Sequence, residues 1–365
     1  MTRRTFRWPV AAAAVLAATA ALSPTALSRP FFDPRAEKRD AIDANPVFSA
    51  RARDPACHAA QFVSTGGLAP RDPHTLAVRW AGYSNFELAY GGKIILLDAY
   101  FDRGSNYPPL GFAARDVTRA DVILIGHGHF DHMSDAASVS IRTGATIVGA
   151  AVTTDKLAAQ EVPAAQIRTV TGRGGEMLRF DGFSVEPILA RHGQPDPQVT
   201  TVMEGALSAL STEPSAAEEA EERAIRARGV SDPRVIAEGT IAYLITLDSG
   251  FRIMYRDSGG RVTDQEKAVM ARVGSVDLAL VAVAAEYLAP LTTRQRLEHM
   301  RLYKPEIYMP AHHDAPIGGR RSLWRATEPL FQALKDDNPN LVTVSRSYRE
   351  PVCFNTDANV AHDHP

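Results

Sequence analysis

The residues with the clearest chemical potential form the run 126–132, Gly-His-Gly-His-Phe-Asp-His, which follows an apolar stretch. A hydrophobic core does not require three imidazoles and a carboxylate within so short a segment. These ligand types suit zinc and similar divalent metals, and no cysteine lies nearby to indicate an iron–sulfur or zinc–thiolate site. His127 and His129 alternate and can share one metal, whereas Asp131 and His132 can hold a second. Surface histidines in a loop are the alternative, which a motif of this density disfavours.

Three later positions could complete such a site. His192 follows a predicted strand, Asp257 lies in an Asp-Ser-Gly segment, and His312 stands two residues after a proline. His192 could instead be a polar loop residue, but its place at a strand end favours a ligand. His312 and His313 are adjacent and only one need face the metals; the Pro-x-His spacing favours His312. The remaining histidines have no such context and are interpreted as structural: His58, His74, His299, His362 and His364.

The segments around these residues show strand and helix patterns in alternation. A β-meander is predicted over 75–100 with a tight Gly91-Gly92 hairpin, and the buried strand 122–125 ends at the histidine motif. Further predicted strands are 145–148, 167–170, 176–180, 183–189, 240–247, 252–255, 278–283 and 307–310. Predicted helices are 135–142, 154–160, 264–272, 293–303 and 322–334. Periodicity alone therefore predicts a mixed α/β protein with two β-rich halves.

The regular pattern lapses between residues 193 and 238, which we interpret as an insertion. A Pro-rich piece is followed by a charged, poorly amphipathic helix over 215–223. A solvated helix on a long loop is the favoured interpretation of such a charge run. A lid is the alternative, because the segment begins directly after His192.

Residues 1–28 are predicted to be an export signal. Arg3 and Arg4 precede the apolar run 10–22, which is too short for a stable membrane span of roughly 20 residues. The paired arginines resemble a twin-arginine signal, so a periplasmic or secreted location is expected. An ordinary secretory signal or an uncut N-terminal anchor is the alternative.

Three further segments are assigned along the chain: an extended N-terminal segment over 29–74, the folded domain over 75–340 and a C-terminal tail over 341–365. Cys57 lies in the first of these and Cys353 in the last. An oxidising compartment would let the two cysteines pair, whereas unpaired buried thiols are the alternative. Neither cysteine has a CxxC or metal-ligand spacing, so no chemistry is assigned to them.

The overall composition narrows the possible partners. The chain is 45% hydrophobic and 22% charged, with a formal net charge of -2 and both signs interspersed. Such a composition is typical of a folded globular protein and does not indicate the basic surface that nucleic-acid binding requires. We expect a small-molecule or lipid-like substrate, and nothing in the sequence indicates an oligomeric state.

The sequence resembles the metallo-β-lactamase superfamily over about residues 75–320. The resemblance rests on the order of four features: HxHxDH, a later histidine, an aspartate in an Asp-Ser-Gly segment and a final histidine after proline. Within this superfamily, the chain looks like the metal-dependent hydrolases related to ascorbate-phosphate lactonase and N-acylphosphatidylethanolamine phospholipase D. That narrower resemblance rests on Trp80-Ala81-Gly82, Leu96-Leu97-Asp98, the HxHxDH run and Met309-Pro310-Ala311-His312. It implies the α/β (α+β) class and a four-layer αββα sandwich.

The resemblance also implies roles for individual residues. A first divalent metal would be bound by His127, His129 and His192, a second by Asp131, His132 and His312, with Asp257 as the bridge. Zinc is the expected metal, with manganese or iron as alternatives. Asp98 matches a carboxylate that orients a ligand imidazole, although a strand-end turn residue explains it equally well. Tyr83 departs from the resemblance, because the related hydrolases usually carry histidine at this position.

The implied activity is hydrolysis of an ester, lactone or phosphodiester. Two metals would hold a hydroxide, and Asp131 would accept or relay its proton. A periplasmic metallo-β-lactamase is the alternative, but those enzymes typically lack the bridging carboxylate that Asp257 would supply. A diiron oxidoreductase would normally show glutamate in place of His129. A non-catalytic metal-binding protein would be expected to lack several ligands. Tyr287 could donate a hydrogen bond to substrate, with a packed tyrosine as the alternative.

Overall fold

The computed structural model describes residues 54–105, 107–193, 214–283, 290–314 and 327–357. These residues belong to one compact unit that spans Pro46–Pro365. The predicted export signal, Tyr287 and residues 194–213 of the insertion lie outside the described residues. None of the helices in the described part of the chain combines the length and apolar character of a transmembrane span.

Two sheets form the centre of the fold. The strands, in chain order, are β1 (Thr75–Trp80), β2 (Phe86–Tyr90), β3 (Lys93–Leu97), β4 (Val122–Leu124), β5 (Thr146–Ala150), β6 (Ile167–Val170), β7 (Leu178–Phe180), β8 (Phe183–Leu189), β9 (Ile241–Leu247), β10 (Arg252–Arg256), β11 (Leu278–Ala282), β12 (Ile307–Ala311), β13 (Val342–Thr343) and β14 (Pro351–Asn355). One 7-stranded sheet has the order β14-β1-β2-β3-β4-β5-β6 and the other has the order β13-β12-β11-β10-β9-β8-β7. The predicted meander is β1 to β3, with Gly91 and Gly92 at positive φ in its hairpin.

Helices flank the two sheets. They are α1 (Phe130–Met133), α2 (Ala136–Thr143), α3 (Ala151–Ala159), α4 (Ala216–Arg226), α5 (Arg234–Ala237), α6 (Asp264–Val273), α7 (Pro290–Tyr303) and α8 (Glu328–Asp337). Short 3-10 turns lie at Pro55–Cys57, Val63–Thr65, Ala114–Asp116 and Ala164–Gln166. Most predicted elements recur with displaced ends; the predicted strand 176–180, for example, begins at Leu178.

The layers follow from the two faces of each sheet. Between the sheets, the Tyr243 hydroxyl donates to the Ile125 carbonyl at 2.8 Å and the Tyr255 hydroxyl donates to the Ser84 carbonyl at 3.1 Å. The outer side of the first sheet packs on Val139 of α2 and Leu157 of α3, among others. The outer side of the second sheet packs on Met270, Met300 and Phe331. The structure therefore confirms the α/β class and the predicted four-layer αββα sandwich.

Strand direction explains why distant residues meet. Strands β3 and β4 are parallel, so Asp98 and the histidine motif follow adjacent strand ends. In the second sheet β8 and β10 are both antiparallel to β9, and β10, β11 and β12 are parallel. The carboxyl ends of β8, β10 and β12, which precede His192, Asp257 and His312, therefore lie at one edge.

The chain ends contribute more to the fold than sequence analysis predicted. The segment before β1 is not only a surface lead-in, because Phe62 and Val63 are buried in the core. The Glu87 carboxylate accepts the backbone N–H groups of Val63 and Ser64 at 2.8 and 2.7 Å. The prediction of a C-terminal tail from residue 341 is wrong for the first part of that segment, because β13 pairs with β12 and β14 pairs with β1. These short strands depend on their partners and have no distinctive pattern of their own.

The two cysteines are joined. Cys57 and Cys353 form a disulfide with their Cα atoms 5.7 Å apart, across a sequence separation of 296 residues. This bond connects the 3-10 turn at Pro55–Cys57 to β14, which itself pairs with β1. The segment before the first strand is thus covalently linked to the last strand.

Replacing both cysteines with serine should lower the free energy of unfolding by about 2–4 kcal/mol, because a disulfide restricts the unfolded chain. Chemical denaturation of the variant and of oxidised wild type measures the difference. Metal content should not change, since neither cysteine lies among the predicted ligands. Equal unfolding midpoints and slopes for the two proteins would contradict this expectation.

Candidate metal centre

The histidine motif occupies the turn between β4 and α1. His127 and His129 lie in the extended part of the turn, and α1 carries Asp131 and His132. A glycine is required at position 126, since a Cβ atom there would lie 2.0 Å from the Asp257 Cγ atom. The absence of a side chain at this position lets the two sheets bring their polar residues into contact.

The first predicted ligand group is assembled as expected. The ligand atoms of His127, His129 and His192 all lie within 4.8 Å of one another. The His127 Nε2 and His129 Nδ1 atoms are 2.9 Å apart. The His192 ring centroid lies 4.6 Å from that of His127 and 4.8 Å from that of His129. Three imidazoles from two sheets therefore converge on one point.

The second group contains Asp131, His132 and His312, whose ligand atoms also lie within 4.8 Å of one another. The Asp131 Oδ2 atom is 3.3 Å from His312 Nε2 and 3.5 Å from His132 Nε2. His313 is buried and stacks on Trp80, with ring centroids 4.1 Å apart and an interplanar angle of 13°. The structure thus places His312, and not His313, beside the other predicted ligands.

Asp257 lies between the two groups. Its Oδ2 atom is 2.5 Å from His127 Nδ1 and 3.3 Å from His132 Nδ1. These three residues form a further cluster of potential ligands. The position is the one that a bridging carboxylate would occupy. The ligand roles of all seven residues stay predictions, but the structure brings all seven together.

Buried polar atoms indicate that a cation fits this arrangement. Within the described residues, Asp257 Oδ1 and His312 Nδ1 are buried without a hydrogen-bond partner. Burial of a carboxylate oxygen without a partner is costly, and coordination of a metal removes that cost. Five imidazoles and two carboxylates are also the donor types that zinc and related divalent metals prefer. The residues present therefore fit a metal centre.

The protonation of the imidazoles differs between the groups. Burial lowers the pKa of His129, and it lowers that of His192 to about 4, so both are neutral and able to offer a lone pair near pH 7. Burial also tends to lower the pKa of His132, but Asp131, Asp98 and Asp257 outweigh it and raise this pKa to about 10. The three carboxylates around His132 therefore favour its charged form.

Asp98 orients one of the predicted ligands. Its Oδ2 atom lies 2.6 Å from His132 Nδ1, and its Oδ1 atom accepts the backbone N–H of Gly126 at 2.9 Å. The residue also has a left-handed backbone, with φ 57°. Both sequence interpretations therefore apply, since Asp98 is a strand-end turn residue whose carboxylate fixes a ligand ring.

Tyr83 contacts His312 without belonging to the ligand groups. The two ring centroids are 4.9 Å apart in an edge-on arrangement. In addition, the backbone N–H of His312 donates to the backbone carbonyl of Tyr83 at 2.7 Å. Both residues have positive φ, 47° and 61° respectively. Tyr83 thus supports the loop that presents His312.

Two buried arginines that sequence analysis did not single out hold the loop after β10. Arg256 donates to the Ser258 and Gly260 carbonyls at 2.8 and 2.7 Å. Arg296 of α7 donates to the Gly259 carbonyl between them. The position of Arg256 directly before the predicted bridging aspartate was an available signal. Nothing in the helical pattern distinguished Arg296, whose role depends on tertiary packing.

A cavity of about 510 Å³ opens onto the predicted ligands. It is lined by His127, His129, Phe130, Asp131, His132, His192, Gly193, Arg226, Val230, Ser231, Asp257, Ser258 and His312. Helix α4 of the insertion contacts α1 beside it. Its Ile225 is buried with Tyr83 and Tyr100, and its Glu221 accepts from the Ser105 N–H at 2.9 Å. One face of this charged helix therefore packs on the domain, so the helix is not fully surrounded by solvent.

The comparison with protein families agrees with this geometry. Residues 93–313 match the family described as Beta-lactamase superfamily domain. Because this match covers more than half of the chain, the protein belongs to that superfamily, which confirms the expectation from the HxHxDH set.

Individual proteins that are similar in sequence to this chain have been identified. A UPF0173 metal-dependent hydrolase from Roseiflexus sp. is 22% identical over 237 residues, which are 65% of this chain and 82% of that protein. Another, from Agrobacterium fabrum, is 35% identical over 121 residues, which are 32% of this chain and 48% of that protein. The match thus spans about half the length of the Agrobacterium relative. Both of these relatives are named metal-dependent hydrolases.

A solved structure shares the fold. Igni18, a metallo hydrolase from Ignicoccus hospitalis, matches with a TM-score of 0.52 and 16% identity. The alignment covers 77% of this chain and 98% of that chain. At this identity the likeness shows the shared αββα architecture alone.

The replacement Asp98→Asn should weaken metal binding roughly 10- to 100-fold, because the amide no longer fixes the His132 ring as a carboxylate does. Competition with a chromogenic chelator measures the affinity. Asp248→Asn is a suitable control, because it alters a carboxylate that accepts from the Tyr90 hydroxyl at 2.5 Å and lies outside the predicted ligand groups. Unchanged metal affinity in a folded Asp98→Asn protein would refute the orienting role.

Proposed function

We propose that this protein is a hydrolase that uses two divalent cations, with zinc as the expected metal and manganese or iron as alternatives. The observation that supports the proposal is the placement of Asp257 between two groups of three potential ligands. Such a shared carboxylate suits two neighbouring ions better than one. The substrate bond is proposed to be an ester, lactone or phosphodiester.

Each part of the site has a task in this reaction. When bound, two divalent cations would activate a water molecule and polarise a carbonyl or phosphoryl oxygen. Asp131 is proposed to accept the proton of that water, since its side chain is 17% exposed and lies at the cavity. Asp98 would keep His132 oriented throughout, and the arginine-held loop would keep Asp257 in place. No serine or cysteine nucleophile is needed.

The β-lactamase alternative receives no specific support. Zinc β-lactamases typically carry histidine or cysteine where this chain has Asp257. The Asp257 carboxylate lies next to both groups of predicted ligands. A non-catalytic metal-binding protein is disfavoured by the open cavity, which gives a substrate access to the predicted ligands.

We also propose that the protein is exported, by a twin-arginine signal within residues 1–28. The bond between Cys57 and Cys353 supports this location, because stable disulfides are typical of oxidising compartments. A reporter fused after residue 28 would test it: export that is lost when Arg3 and Arg4 become lysines supports the proposal, and cytoplasmic retention of the unaltered fusion contradicts it.

The variant His129→Ala should lose metal and hydrolytic activity together, because it removes one imidazole of the first group. Metal analysis of the purified protein and a panel of lactone, phosphodiester and β-lactam substrates measure both. His58→Ala is the matched control, since His58 is exposed and lies outside the ligand groups.

Two results would overturn the proposed function. Retained hydrolysis by His129→Ala would show that the reaction does not need the first ligand group. Turnover of wild type that survives complete removal of metal by a chelator would show that no cation takes part.

A further inference from the structure

The cavity wall contains a charge that the metal centre does not use. After subtraction of the seven predicted ligands, the described lining residues are Phe130, Gly193, Arg226, Val230, Ser231 and Ser258. Arg226 is the ionisable member of this remaining set. The part of this wall that the described residues form beyond the ligands is therefore apolar, with two hydroxyls and one cation.

The position of Arg226 follows from the docking of helix α4. Ile225 is buried beside Tyr100, and Glu221 bonds to Ser105, so the last turn of the helix is fixed against the cavity rim. The Arg226 guanidinium carbon lies 4.3 Å from the Phe130 ring centroid. Phe130 in turn stands between His129 and Asp131 in the sequence. The guanidinium is thus stacked beside the ligand-bearing turn.

The existing partner of Arg226 leaves it able to bind an anion. Its Nε and Nη2 atoms are 2.8 and 2.7 Å from the Glu222 Oε1 atom. The side chains of the pair are 54% and 41% exposed. An exposed pair of residues four apart on a helix is weak, because solvent screens it. Arginine presents five donors in a planar fork, of which this contact uses one edge.

We propose that Arg226 is a specificity-determining residue that binds an anionic oxygen group of the substrate, at a distance from the bond that is cleaved. The inference rests on the proposed hydrolase function and specifies its substrate class: esters or lactones with an apolar body and a carboxylate or phosphate substituent. Phe130 and Val230 contact the apolar body, and the arginine fork recognises the anion.

Helix α4 offers a matched control. Arg223 lies one turn earlier, is 69% exposed at its side chain and forms the equivalent pair with Glu219 at 3.4 Å. It does not line the cavity. Arg223→Gln therefore removes the same charge and the same kind of ion pair from the same helix without changing the cavity wall.

The test compares two aryl esters that differ only in a carboxylate and a carboxamide substituent, with a third that carries a phosphate. Arg226→Gln should raise KM for the two anionic esters roughly tenfold or more, as expected for loss of a charged hydrogen bond. The KM for the carboxamide ester and kcat should change little. Arg226→Lys should recover part of the loss, and Arg223→Gln should match wild type.

Binding of phenylphosphonate, measured by calorimetry on the metal-containing proteins, gives a readout that does not need turnover. Affinity should fall in Arg226→Gln and not in Arg223→Gln. Equal effects of the two variants, or equal KM changes for charged and neutral esters, would overturn the role of Arg226. Absence of turnover with every ester would contradict esters as the substrate class, whereas the phenylphosphonate comparison would still decide whether Arg226 binds anions.

Discussion

The metal-centre residues of this protein include carboxylates and imidazoles that are buried together, away from water. Asp257, His127 and His132 are almost fully buried and lie within contact of one another. Such groups are stable in a protein interior only when they are paired, hydrogen-bonded or bound to metal. The contact between Asp98 and His132 satisfies part of this requirement, whereas Asp257 Oδ1 has no hydrogen-bond partner among the described residues. The proposed function follows from that unsatisfied requirement.

The two sheets are needed because neither holds a complete ligand set. The first supplies the motif after β4, and the second supplies His192, Asp257 and His312 after β8, β10 and β12. Gly126 permits the close contact between them, and Tyr83 and the buried arginines hold the loops of the site. Rigid strands therefore determine where the ligands stand, while the insertion with α4 forms part of the cavity wall that a substrate would contact.

Much of this arrangement could be predicted from sequence because its signals are local. The HxHxDH run follows a buried apolar strand, and the Pro-x-His spacing favoured His312 over His313. Residues whose role arises from tertiary packing gave no such signal. Arg296 lies on an ordinary helical pattern, β14 is recognisable only by its pairing with β1, and the contact of Ile225 with Tyr100 requires the folded chain. The candidate metal ligands could therefore be predicted from the sequence, whereas the residues that hold them in place could not.

The decisive measurement for the proposed metal centre is the metal content per chain of the mature protein, purified without chelator. We expect two divalent ions per chain, because Asp257 lies between two groups of three potential ligands. The same sample should hydrolyse a substrate of the proposed class and lose that activity on chelation. A folded protein that carries no stoichiometric metal and takes up none from added zinc, manganese or iron would contradict the proposed two-metal centre.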